Sequence, residues 1–180
     1  MKIKTLLFAI LAGVLMISAC KKVGDLTEVK FDAEFKADLN CEVPPDSFKS
    51  GINGAFSASE TIDPLADPNV EKYLDKIKSW NVESVTAEIL SVSKEGVNLL
   101  NADLKVFSEA HTALWNMSNI PLVVGQQATL DNGNGQWDAI NSILGEKKVF
   151  NVTVNGATDK DDVTFVIRVI IKTKVTANPL

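Results

Sequence analysis

The sequence predicts a mainly β fold: a two-layer antiparallel β-sandwich with two short helices, preceded by a signal peptide. Three observations carry this. Val29, Phe31, Ala33, Phe35, Ala37, Leu39, Cys41 and Val43 alternate with polar residues, the period-two pattern of a strand with one buried and one wet face. Apolar runs of strand length recur between turn signals all the way to Val175. Only two stretches, after Asp67 and after Gly135, carry helical spacing.

The elements follow in order. Val29 to Val43 is long for a strand, so it is expected to bend or change sheets midway. Pro44-Pro45-Asp46-Ser47 ends it, because proline cannot donate to a ladder. Ala55 to Ile62 is the second strand. Asp67 is a good N-cap, with Pro68 at the first helical position. Val70, Tyr73, Leu74, Ile77 and Trp80 continue at helical spacing, giving a helix of about three turns. Val82 to Val92 and Val97 to Phe107 flank Lys94-Glu95-Gly96 and read as a hairpin. His111, Ala113, Trp115 and Met117 make a fifth strand, and Ile120 to Val124 a sixth. Asp131 to Gly135 is a loop leading to a second helix, with Trp137, Ile140, Ile143 and Leu144 inward and Gly145 as its C-cap. Lys148 to Val154 and Val163 to Val175 close the chain around the acidic turn Asp159 to Asp162, which reads as a solvated hairpin tip. The last strand is apolar on both sides (Val163, Phe165, Ile167, Val169 and Ile171 against Val166 and Ile170). It should be central and covered on each face. The domain is expected over residues 27–180.

The first nineteen residues form a targeting segment. Lys2 and Lys4 give a positive start, Thr5 to Ile17 is apolar, and Ser18 and Ala19 are small enough for a peptidase to reach the backbone. A spanning helix needs about 20 apolar residues, so a permanent transmembrane anchor is not expected. Ile17-Ser18-Ala19-Cys20 resembles the lipobox of bacterial lipoproteins: an aliphatic residue, two small residues, then cysteine. The resemblance implies cleavage between Ala19 and Cys20 and a diacylglyceryl group, with palmitate-type chains, on the Cys20 sulfur. An ordinary secretory signal cut near Ala19 and an uncleaved anchor are the rival readings. Each buried methylene contributes about 0.8 kcal/mol, so two or three acyl chains hold firmly. Lys21 stands where an aspartate would resemble an inner-membrane retention signal, which favours the outer membrane and leaves periplasmic or surface exposure open. Residues 20–26 are then the lipidated cysteine and a tether; six residues reach at most about 20 Å.

Without Lys2 and Lys4, 16 of the 18 basic residues face 23 acidic ones, a net charge of −7. An acidic body argues against nucleic acid and against electrostatic adhesion to anionic lipid. Cys20 and Cys41 are the only cysteines. With Cys20 lipidated no internal disulfide is possible, and Cys41 on its apolar face reads as a small buried hydrophobe.

The segment from Asp67 through Ser79, then Val82-Glu83-Ser84-Val85-Thr86, and the closing Val163-Thr164-Phe165-Val166-Ile167 and Val175-Thr176-Ala177-Asn178-Pro179 resemble small uncharacterised lipoproteins of the Bacteroidota. That resemblance implies a β-rich fold in the cell envelope and brings no activity with it.

Candidate chemistry is sparse. His111 is the one histidine, and no G-x-S-x-G elbow marks a nucleophile for it to serve. Asp131, Asn134 and Asp138 offer oxygens of the kind calcium takes, but the EF-hand register fails. A turn whose Asn or Asp caps the second helix is the structural alternative. Trp80 and Trp137 fall on apolar stripes, leaving Trp115 as the candidate for stacking on a sugar. The expectation is a lipid-anchored envelope protein, a structural or protein-interaction module without catalysis or cofactor. The alternative is a glycan- or small-ligand-binding surface lipoprotein. Its partners are the membrane through the lipid and an envelope protein or a glycan, with no nucleic acid.

Overall fold

A computed structural model describes residues 28–45 and 54–178. The signal segment, Ala19, Cys20 and the tether to Leu26 lie outside the described residues. The strands are β1 (Val29–Val43), β2 (Gly54–Ile62), β3 (Ile77–Val92), β4 (Asn98–Phe107), β5 (Thr112–Pro121), β6 (Gln127–Thr129), β7 (Phe150–Thr158) and β8 (Val163–Ala177), with helix α1 (Pro68–Tyr73) after β2 and α2 (Gln136–Gly145) after β6. They form two antiparallel four-stranded sheets, β1-β8-β3-β6 and β2-β7-β4-β5. The β-sandwich with two short helices is therefore as expected.

The strand order carries more than the sequence shows. Among the described strands, only β4 and β5 are both consecutive and hydrogen-bonded to each other; every other connection crosses from one sheet to the other. This is the order of an eight-stranded jelly roll. The expected hairpin of β3 with β4 is thus wrong. Gly96 does take a left-handed turn (φ 65°), but the chain there leaves one sheet for the other. The acidic turn Asp159 to Asp162 is likewise a crossing from β7 to β8, not a hairpin tip.

Individual elements differ from expectation as well, and the strand expected over Lys148 to Val154 is Phe150–Thr158. β1 stays in one sheet, paired with β8 in unbroken register from Val29↔Ala177 to Val43↔Val163. The register irregularities of this sheet fall in β3, at Ile77/Ser79, Val82/Ser84 and Ile89/Ser91. α1 stops at Tyr73, and a 3₁₀ turn (Leu74–Lys76) leads into β3, so Trp80 belongs to a strand. The end of β8 needs a ladder partner for its backbone, and Ile77↔Ala177 and Trp80↔Val175 supply it. That pairing outweighs the helical spacing. The expected strand 120–124 is divided between the end of β5 and a loop, and the sixth strand is instead β6, which joins the opposite sheet through Thr86↔Thr129 to Glu88↔Gln127.

The core lies between the sheets. Phe56 meets Phe165 edge-on at 5.0 Å, and Phe35 packs on Phe150 (6.3 Å) and Trp80 (6.2 Å). β8 is central, as expected, but its outward residues Val166, Arg168 and Ile170 are half-buried, and among the described residues no further sheet lies over them. The start of β1, α1, the β4–β5 turn and the end of β8 share one pole of the sandwich. Phe31 stacks on Tyr73 there, and Asn178 N–H donates to Lys76 O (2.9 Å). The β3–β4 and β7–β8 connections meet at the other pole, where Lys94 Nζ contacts Asp162 Oδ2 (2.8 Å).

Candidate functional site

Trp115 is buried at 5 % exposure, and its indole N–H donates to Asp131 O at 2.7 Å. Its ring is core, and a buried ring cannot stack on a sugar. The expectation of Trp115 as an exposed platform is corrected on that ground. Trp80 is buried as expected, though on a strand, and Trp137 is half-buried on α2.

His111 lies in the β4–β5 turn, just before β5. Ser108 Oγ accepts from the backbone N–H groups of Ala110 (3.4 Å) and His111 (3.2 Å), and donates to Glu146 Oε1 at 2.6 Å. His111 Nε2 stands 3.9 Å from the same carboxylate oxygen, beyond hydrogen-bond reach. The carboxylate thus sits between hydroxyl and imidazole. A base that activates serine must hold the serine proton itself, so this order ties the turn to the end of α2 without forming a proton relay.

The loop before α2 spends its polar groups on local structure. Asn132 Oδ1 accepts from Trp137 N–H (2.8 Å), and Gln136 accepts from Asn134 N–H (2.9 Å) while donating to Leu114 O (3.2 Å). Asn132 therefore satisfies a first-turn N–H of α2. Asp131 gives its carbonyl to Trp115, and Asp138 gives its carbonyl to Ser142 Oγ (2.9 Å). Among the described residues no cluster of three or more His, Cys, Asp or Glu side chains is placed to hold a metal. The left-handed residue after α2 is Lys147 (φ 55°), so Gly145 is the last helical residue and not its cap. Lys147 Nζ reaches Leu74 O at 2.6 Å, linking the two helical segments. Cys41 is buried, and desolvation pushes its thiol up to about 12, so it is not a nucleophile at neutral pH.

Two concavities were not foreseen. An apolar slot between the sheets, lined by Ala87, Ile89, Met117, Ile120, Ala128 and Ile167, holds about 30 Å³. Ligand pockets run from about 300 Å³ upward, so the slot is far too small. A groove of about 540 Å³ lies between β1 and the β2–α1 link, beside Glu34, Lys36, Asp63 and Asp67. Its carboxylates are engaged. Asp63 caps Leu65 N–H (2.9 Å), Asp67 caps Asn69 N–H (2.8 Å), and Glu34 pairs with Lys36 (2.7 Å).

The two outward faces differ in chemistry. The face of β1-β8-β3 is laced by ion pairs: Asp38 with Arg168 through two contacts of 2.6 Å, and Lys174 with Glu83 (3.0 Å) and Asp32 (3.7 Å). The hydrogen bonds from Arg168, with its positive charge, hold the Asp38 carboxyl below the usual range, and the same pairing raises Arg168. The face of β2-β7-β4-β5 is almost uncharged. Its residues are visible in the sequence as polar positions of alternating strands. Their adjacency is not, because it depends on which strands share a sheet.

No family model matches the chain, and no curated protein matches it. Among solved structures it is similar to a decameric BFDV capsid protein (TM-score 0.45, 10 % identity, 82 % of this chain and 99 % of that one). It is also similar to the Turnip Yellow Mosaic Virus structure (TM-score 0.36, 9 % identity, 84 % and 96 %). Likenesses of this degree carry no function across.

Proposed function

We propose that the protein is a lipid-anchored protein of the bacterial cell envelope, held through Cys20 in the outer membrane. Its jelly-roll body serves as a structural or protein-interaction module without catalysis. The observation that carries this reading is Ile17-Ser18-Ala19-Cys20 behind a charged start and a short apolar run. The placement of β1 is consistent with it. β1 begins at Val29, so Lys21 to Glu28 joins it to Cys20 and spans at most about 28 Å. The pole with α1 and the β4–β5 turn would then face the membrane. The opposite pole would stand away from it by the length of β1, roughly 50 Å.

A protein partner would pair best along β5 beyond Leu114, whose carbonyl Gln136 already occupies. This edge strand has ten residues and no charged side chain, whereas the edge strand β1 carries alternating charges that discourage pairing. Replacing Cys20→Ala in the full chain tests the anchor. The expected outcome is an unprocessed or soluble species. Unchanged membrane retention and unchanged mobility on a gel would contradict it.

A further inference from the structure

The registers of the second sheet place its outward side chains on a grid. From one pole to the other the rows read Ala55–Ala157–Asn101–Ser118, Ser57–Asn155–Asp103–Asn116, Ser59–Thr153–Lys105–Leu114 and Thr61–Asn151–Phe107–Thr112. Ten of these sixteen positions carry a hydroxyl or a carboxamide. The two charges, Asp103 and Lys105, are opposite in sign and adjacent on β4. With normal strand spacing the grid covers about 14 by 20 Å.

We propose that this face binds a neutral, hydroxyl-rich polymer, a polysaccharide chain laid across β2-β7-β4-β5. The proposal does not depend on whether Cys20 carries a lipid. A solvent-facing sheet kept only for solubility is ordinarily charged, and the other sheet of this molecule is. A nucleic acid or acidic polymer needs basic side chains, and the grid offers one lysine already opposed by Asp103. A protein interface takes its energy from Trp, Tyr and Arg anchors, and the grid has none. Hydroxyls and carboxamides both donate and accept, as sugar hydroxyls do. The amides are held in place. Ser57 Oγ donates to Asn155 Oδ1 (2.6 Å) and Thr61 Oγ1 to Asn151 Oδ1 (2.9 Å), which leaves each amide its N–H₂ group for a ligand. Phe107, half-buried in the last row, adds an apolar surface for a sugar ring.

The test is affinity electrophoresis of the full chain in neutral detergent, with an α-glucan, a β-glucan, a mannan or a xylan cast in the gel. A polygalacturonate gel serves as the charged control. The expected result is retardation by at least one neutral polymer, unchanged by added salt. In the triple variant Asp103→Ala, Asn116→Ala and Asn155→Ala it should weaken about tenfold or more. Lys36→Ala with Glu83→Ala, on the other sheet, should leave it intact. Asn116→Lys, which touches no cross-strand bond, serves as a second variant should the triple one not fold, and should weaken retardation too. Retardation by none of the four neutral polymers, retardation by polygalacturonate alone, or retardation unchanged in a folded face variant would each overturn the proposal.

Discussion

Gly156 shows how tightly one residue can be specified. It faces inward on β7, and a Cβ placed there would meet Asn101 O, the Phe56 ring and the Ala102 backbone. Two of those neighbours are backbone and cannot swing away. Gly156→Ala should cost about 1–3 kcal/mol, read as a lower urea midpoint with unchanged slope. Cys41 gives a second expectation. Its buried thiol, raised to about 12, should resist a disulfide reagent at neutral pH until the chain unfolds, with reaction tracking the denaturation curve. Rapid labelling of the native thiol would place Cys41 outside the core. Asp38 gives the third. Its pKa is lower in the folded chain than in the unfolded one, so its pairing with Arg168 stabilises above the unfolded value near 4 and is lost as pH falls through the folded value. Asp38→Asn should therefore lower the urea midpoint modestly at pH 7, and the gap should close on acidification. Added salt should narrow it as well, because the pair is partly exposed.

At the scale of elements, what was legible follows from locality. The alternation of β1 gave its bounds, since fifteen consecutive residues share one environment on each face. Asp67 and Pro68 gave the start of α1, and Asp67 Oδ1 does accept from Asn69 and Val70 N–H (2.8 and 3.2 Å). Asp67→Ala should cost about 1 kcal/mol in thermal or urea unfolding. The end of α1 was not legible. Ile77 and Trp80 suit a helix stripe and a strand equally, and only the long partner β8 decides between them. β6 was invisible because it has three residues, and its pairing with β3 is all that makes it a strand. The hairpins went wrong for one reason: a tight turn signals a reversal, and it does not say which sheet receives the next strand. His111 and Asp131 make the same point for the candidate sites. Their types suggested chemistry, and their partners, Ser108 with Glu146 and the Trp115 indole N–H, are contacts that hold local structure together.

The whole molecule has two poles and two unlike faces. The strand that leads to the tether enters at one pole, so the anchor would fix which end meets the membrane and leave both sheet faces side-on. Ion pairs occupy one face, and hydroxyls and carboxamides occupy the other. Neither fact is written in any single segment; each arises when the jelly-roll order brings distant strands together. The anchor is the opposite case, a reading of four consecutive residues that the folded body neither needs nor alters. Intact-mass spectrometry of the protein extracted from membranes of an expressing bacterium tests it most directly. The expected mass is that of residues 20–180 plus a diacylglyceryl group, with or without a further acyl chain on the new N-terminus. A chain retaining residues 1–19, or one starting at or near Cys20 with no lipid mass, would contradict it.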